Sequence, residues 1–80
     1  MKYQSNYEGK ARYTKDCLEP LFIGMGNGWT SVDYIVEGSQ ENILLTNANP
    51  DKTISVNVSH DSILALANDV MRAYLNEVSY

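Results

Sequence analysis

"GMGNGW", residues 24–29, places three glycines within five positions, and its reading decides the fold. Such a stretch can be a loop whose backbone N–H groups cradle a phosphate, or a tight turn beside a strand. A nucleotide loop hands its phosphate to the N-terminus of a helix. Here "WTSVDYIV" (29–36) follows, β-branched, aromatic and alternating in the manner of a strand. No Gly-Lys-Ser/Thr accompanies the glycines. The stretch reads as a turn, and the one Gly-rich catalytic candidate goes with it.

Asn27-Gly28 is the strongest two-residue hairpin signal, because a type I′ turn needs positive φ at both central positions. A reversal there pairs Met25 with Thr30, Ile23 with Val32 and Leu21 with Tyr34. Directly opposed residues share a face, so this register gathers aliphatic side chains on one side. Phe22, Gly24, Gly26, Trp29, Ser31 and Asp33 fall on the other.

Working outward, "EGSQE" (37–41) reads as a polar loop with Gly38 available for positive φ. "NILLT" (42–46) is a strand, and "NANPD" (47–51) carries the chemistry of a reversal. "TISVNV" (53–58) alternates strictly, Ile54, Val56 and Val58 against Thr53, Ser55 and Asn57. The C-terminal segment is an amphipathic helix over 60–78. Ser59 is its expected N-cap, Asp61 complements the helix dipole, and Val58 with Ile63 would form a hydrophobic staple. Ile63, Ala67, Val70, Tyr74 and Val78 fall on one stripe at helical spacing.

Upstream, Pro20 disfavours helix at Glu19 and suits the start of a strand. Residues 1–15 form a basic arm in which Tyr3, Tyr7 and Tyr13 are spaced among the cations, and "KARYT" (10–14) could add a short edge strand. The expected architecture is α+β. A single domain of 80 residues holds a three- to four-stranded antiparallel β-meander over 18–58, with one C-terminal helix packed across one face. Leu21, Ile23, Val32, Tyr34, Ile43, Leu45, Ile54 and Val56 would meet Ile63, Val70 and Tyr74.

Charge is unevenly placed. Residues 1–15 carry four cations (Lys2, Lys10, Arg12 and Lys15) against Glu8, a net +3. Residues 16–80 carry Lys52 and Arg72 against nine acids, a net −7. An acidic body does not suit a phosphate backbone, which needs clustered cations. It suits docking on a cationic surface. No apolar run approaches the roughly 20 residues of a membrane helix. The start has no apolar signal segment, and one cysteine allows no intrachain disulfide. These features lead to an expectation of a cytoplasmic protein that does not engage membranes.

The inventory for chemistry is thin. "SHDS" (59–62) holds the members of a Ser/His/Asp relay, but neighbours in sequence point apart at a helix start. His60 reads instead as part of a solvent-facing cap. Zinc needs about four ligands, which one His, Cys17 and scattered acids do not assemble. Cys17 reads as a small buried hydrophobe. No cofactor, metal or catalytic residue is expected, and the chain reads as a non-enzyme.

Three surfaces rise above this background. Phe22, Trp29, Asp33 and Ile35 on the sheet face away from the helix, with Glu37 and Glu41 on an acidic rim, would bind a protein partner with a basic surface. Leu64, Met71 and Leu75 widen the apolar arc of the helix beyond what one core needs, and suit a partner or a two-fold homodimer contact. The basic arm, Lys2, Lys10, Arg12 and Lys15, could contact nucleic acid. Its plainer role is attraction to its own acidic body. The resulting expectation is a small acidic inhibitor or modulator of a basic, nucleic-acid-handling protein. Phage anti-defence proteins such as anti-CRISPR proteins share its size and charge and nothing more specific.

Overall fold

The computed structural model describes residues 2–48 and 51–78; the side chains of residues 2–6 and of 77 and 78 are not described. The chain begins with a helical run in three parts: α1 (Lys2–Tyr13), a π-helical segment (Thr14–Leu18) and α2 (Glu19–Gly24). Strands β1 (Trp29–Glu37), β2 (Gln40–Ala48) and β3 (Asp51–Asn57) follow, and α3 (Ile63–Val78) closes the fold. The sheet is antiparallel in the order β1-β2-β3. The fold is therefore α+β, a three-stranded meander with the C-terminal helix and an added N-terminal helical run.

That helical run is the main departure from expectation. Residues 10–14 and 18–25 form no strand, and residues 27–28 form no hairpin. Lys10, Thr14, Leu18 and Phe22 are all buried at a spacing of four. The π-helical turn keeps this row on one face, with Glu19 N–H reaching the Thr14 carbonyl five residues back. Pro20 sits in the first turn of α2. Inside a regular α-helix its ring would clash with the carbonyl four residues earlier; the wider π turn directly before it relieves that clash. Proline therefore enters a helix here instead of starting a strand.

The glycine stretch is a turn, as expected, but it joins a helix to a strand. Gly26 (φ 73°) follows the last helical residues in the left-handed conformation that ends helices, and Gly28 (φ 95°) redirects the chain into β1. The end of β2 anchors this turn. Asn47 Nδ2 donates to the Asn27 carbonyl at 3.1 Å, and Ala48 N–H to the Gly28 carbonyl at 2.9 Å. The burial expected of residues 21–23 is consequently inverted. Leu21 and Ile23 are 50% and 47% exposed, whereas Phe22 is fully buried.

Downstream the pattern holds. Val32, Leu45 and Ile54 lie in one cross-strand row, Tyr34, Ile43 and Val56 in the next. Both rows face the core. Trp29 and Val32 are three apart and would face opposite sides of a regular strand. A bulge between Trp29 and Ser31 inserts one residue and turns both inward. Phe22, Trp29 and Tyr74 then meet edge-to-face, with ring centroids 5.3–6.0 Å apart. The loop between β1 and β2 is shorter than expected. Glu37 pairs with Gln40, and Gly38 takes a positive φ of 63° in the two-residue connection. Ala48 pairs with Asp51, and the reversal expected at Asn49-Pro50 lies outside the described residues.

Helix α3 is capped by Ser62 and not Ser59: Ser62 Oγ accepts the Ala65 N–H at 3.1 Å. Its inward residues are Leu66 and Val70, both fully buried, with Met71, Ala73 and Tyr74 packed beside them. With Ser62 as the cap and Ile63 the first residue of the helix, Val58 and Ile63 no longer hold the two staple positions; Ile63, 41% exposed, lies beside Gly9 of α1, and Val58 is fully buried. The side chain of Val78 lies outside the described residues.

Candidate functional site

The helical run and α3 pack on the sheet face that holds Val32, Tyr34, Ile43, Leu45, Ile54 and Val56. The opposite face carries Ser31, Asp33, Ile35 and Glu37 from β1, Asn42, Leu44 and Thr46 from β2, and Thr53, Ser55 and Asn57 from β3. All are exposed or half-buried. Asp33, Ile35 and Glu37 form an acidic–apolar–acidic row along β1, with Leu44 across from Asp33 and Asn42 across from Ile35. This outer face is the candidate site.

Asp33 is held at the margin of that face by Lys15, whose Nζ lies 2.8 Å from Asp33 Oδ1 and 2.8 Å from Glu19 Oε2. The two carboxylates raise the lysine pKa, Asp33 contributing most. Glu19 also accepts the Val32 N–H at 3.2 Å. Lys15 first and this N–H second hold the Glu19 pKa below the usual carboxylate range. A backbone donor on the outer edge of β1 is thereby satisfied by a helix side chain.

The other residues expected on this face are elsewhere. Phe22 and Trp29 do meet, but in the core beneath α3 and not on the surface. Glu41 is not part of a rim. It is buried under α1, because its position in β2 faces the helices and Lys10 arrives to neutralise it. Lys10 Nζ and the Tyr34 hydroxyl both donate to Glu41 Oε1, at 2.7 and 2.6 Å, and His60 N–H reaches Oε2 at 3.3 Å. The Glu41 backbone N–H donates to Ser59 Oγ at 2.8 Å. Burial pushes the carboxyl pKa up, but these partners outweigh it and hold Glu41 below its ordinary range. Burial, then the hydrogen bond to Glu41, drives the Tyr34 pKa well up. With its carboxylate filled by donors and its phenol kept protonated, the cluster is a structural latch between α1, the sheet and the turn before α3.

Lys10 and Lys15 are thus bonded to acids of their own chain. Arg12 is exposed, and the side chain of Lys2 lies outside the described residues. His60 is exposed but belongs to the turn ahead of α3, with a left-handed φ of 68°. Beside it, burial and then the neighbouring Asp69 carboxylate raise the pKa of Asp61. Cys17 is exposed, not buried, because it lies off the Lys10–Phe22 row. On α3, Leu64 is 81% exposed and Leu75 53%, while Met71 packs partly on the core. Beside them runs an open groove of about 660 Å³ lined by Ser62, Leu64, Ala65, Ala67, Asn68 and Met71.

Among the described residues no group of three or more His, Cys, Asp or Glu side chains is placed to hold a metal ion, and no helix is long and apolar enough to cross a membrane. No family model, curated protein or solved structure matches this chain.

Proposed function

We propose that this chain is a non-enzymatic, acidic protein-binding module that docks the outer face of its sheet on a cationic surface of another protein. The observation that carries the reading is the Asp33–Ile35–Glu37 row. It stands on a sheet face opposite the helices, where Ile35 and Glu37 are exposed and Asp33, bonded to Lys15, is half-buried at the margin. Ile35 with Leu44 supplies apolar area at the centre, and the two carboxylates supply charge at the rim, the usual division of labour in an interface. The net charge of −4 favours approach to a basic partner.

The partner class that fits is a protein made basic by its work on nucleic acid, with this chain acting as its inhibitor or modulator in the cytoplasm. Direct nucleic-acid binding by the arm is less well supported, because Lys10 and Lys15 are already neutralised by Glu41, Glu19 and Asp33. Affinity capture from the native cell, followed by titration of the captured protein, tests the proposal. The expected partner is basic, and its affinity falls with rising salt and with the Asp33→Lys/Glu37→Lys double substitution. Binding that is indifferent to about 0.5 M salt, where charges are screened within a few ångströms, refutes the reading. So does a folded double variant that binds unchanged.

A further inference from the structure

The two edges of the sheet are treated differently. An edge strand exposes unpaired N–H and C=O groups and invites pairing unless it is bent, charged or covered. The β1 edge has all three protections. Its bulge lies at Trp29/Ser31, Lys15 and Asp33 place charge beside it, and Glu19 binds the Val32 N–H, with α2 packed against the strand. The β3 edge has none over residues 53–57. "TISVN" contains no charge, proline or glycine, and its register with β2 runs without a bulge.

The direction of its hydrogen bonds follows from one contact. Val58 N–H donates to the Glu41 carbonyl at 2.8 Å. Alternation along an antiparallel strand then points the backbone groups of Ile54 and Val56 toward β2, and those of Thr53, Ser55 and Asn57 outward. The side chains of Thr53, Ser55 and Asn57 are exposed, so nothing in the described chain shields this edge.

The geometry points to a second copy of this chain as the occupant: β3 pairs antiparallel with its counterpart about a two-fold axis at Ser55, making a continuous six-stranded sheet. In that register Ser55 faces the second copy's Ser55, and Thr53 faces the second copy's Asn57, so the outward groups meet one another. Ile54 faces the second copy's Val56. These two side chains are buried but each retains 8% exposure, and the pairing extends both inner rows into one apolar layer. Residues 53–58 hold no charge by which a charged partner strand could be selected. They do match themselves, polar to polar and aliphatic to aliphatic, and two chains of net −4 can approach there without opposing like charges. The axis stands perpendicular to the sheet, so both Asp33–Ile35–Glu37 rows appear on the same face. The dimer does not depend on the docking role argued above.

Sedimentation equilibrium of the full chain, with circular dichroism to confirm folding, tests this pairing. The wild type is expected to rise with concentration from 9.0 kDa toward twice that mass. Ser55→Lys, on an exposed position, puts like charges directly across the axis and should leave a folded monomer. Ser55→Glu should do the same, and a mixture of the two variants should recover the dimer. A wild type that stays monomeric up to about 1 mM overturns the inference. So does a dimer insensitive to Ser55→Lys but abolished by Leu64→Asp, which would place the contact on α3. Two folded variants that fail to associate when mixed would overturn the Ser55 register.

Discussion

Lys10 Nζ lies 2.7 Å from Glu41 Oε1, and only 5% of either side chain is exposed. The pair joins residues 31 apart in sequence and fastens α1 to the sheet. A buried ion pair adds little over a well-packed apolar pair, because desolvation offsets the attraction. Breaking it is a different matter, since the remaining charge is then stranded. Tyr34 and His60 N–H add donors to the same carboxylate, so its loss would leave several groups unsatisfied at once.

Glu41→Leu is therefore expected to cost about 3–5 kcal/mol, and the double variant Lys10→Met/Glu41→Leu substantially less than either Lys10→Met or Glu41→Leu alone. Urea denaturation of the four proteins checks this as a cycle. If the single changes add in the double variant, the pair is not coupled.

The same site sets a pH dependence with opposing signs. Glu41 has a native pKa below its ordinary 4.5, so its contribution is complete above that value and is lost as pH falls through the native one. Asp61 has a native pKa above its ordinary 3.8, chiefly from burial and from Asp69. Its native state binds the proton more tightly, which stabilises the fold fully below the ordinary value and is lost as pH rises through the higher native one. Asp61→Asn should then raise the melting temperature at pH 7, with the gain shrinking toward pH 4. A gain that does not change with pH would show that ionisation of Asp61 is not its source.

His60 bends the chain between β3 and α3 with a left-handed backbone, and its N–H is aimed at Glu41. The side chain itself is exposed. A left-handed L-residue costs roughly 1–2 kcal/mol, and glycine avoids that cost. His60→Gly is expected to match or exceed wild-type stability, and His60→Val to lose about 1–2 kcal/mol or more, because β-branching worsens the clash. Equal losses in both variants would mean that the imidazole carries a contact of its own.

The β-half was legible because its side chains obey a single rule. Ile54 and Val56 alternate with polar neighbours, Ile43 and Leu45 with Asn42, Leu44 and Thr46, and each of the four is buried as the period of two requires. The same parity placed Asp33 and Ile35 outward. Trp29 escaped it, since the bulge that turns it inward has no mark in the composition. The N-terminal third was opaque for a physical reason. Its buried row is Lys10, Thr14, Leu18 and Phe22, two of them polar, so an apolar period never appears. Lys10 is buried only because Glu41, far along the chain, is there to receive it. The π turn further removes the penalty that makes proline a break signal. The type I′ preference at Asn27-Gly28 was overridden: Gly28 takes a positive φ but Asn27 does not, Gly26 doing so instead, and tertiary burial of Phe22 decided which elements the turn connects.

Residues 21 and 22 separate the helical run from the strand it displaces. In a strand that reverses at 27–28, Leu21 is core and Phe22 is surface; in the fold described here the assignments are exchanged. Phe22 is fully buried against Trp29 and Tyr74, and truncating such a ring leaves a cavity. Phe22→Ala should cost about 3–5 kcal/mol and alter the fluorescence of Trp29, the sole tryptophan. Leu21→Glu, at a half-exposed helical position, should stay within about 1 kcal/mol of wild type, as surface substitutions generally do. Chemical denaturation followed by tryptophan emission measures both. A destabilising Leu21→Glu beside a tolerated Phe22→Ala would restore the strand and remove the helical run that carries Lys10, Lys15 and Glu19 to their partners.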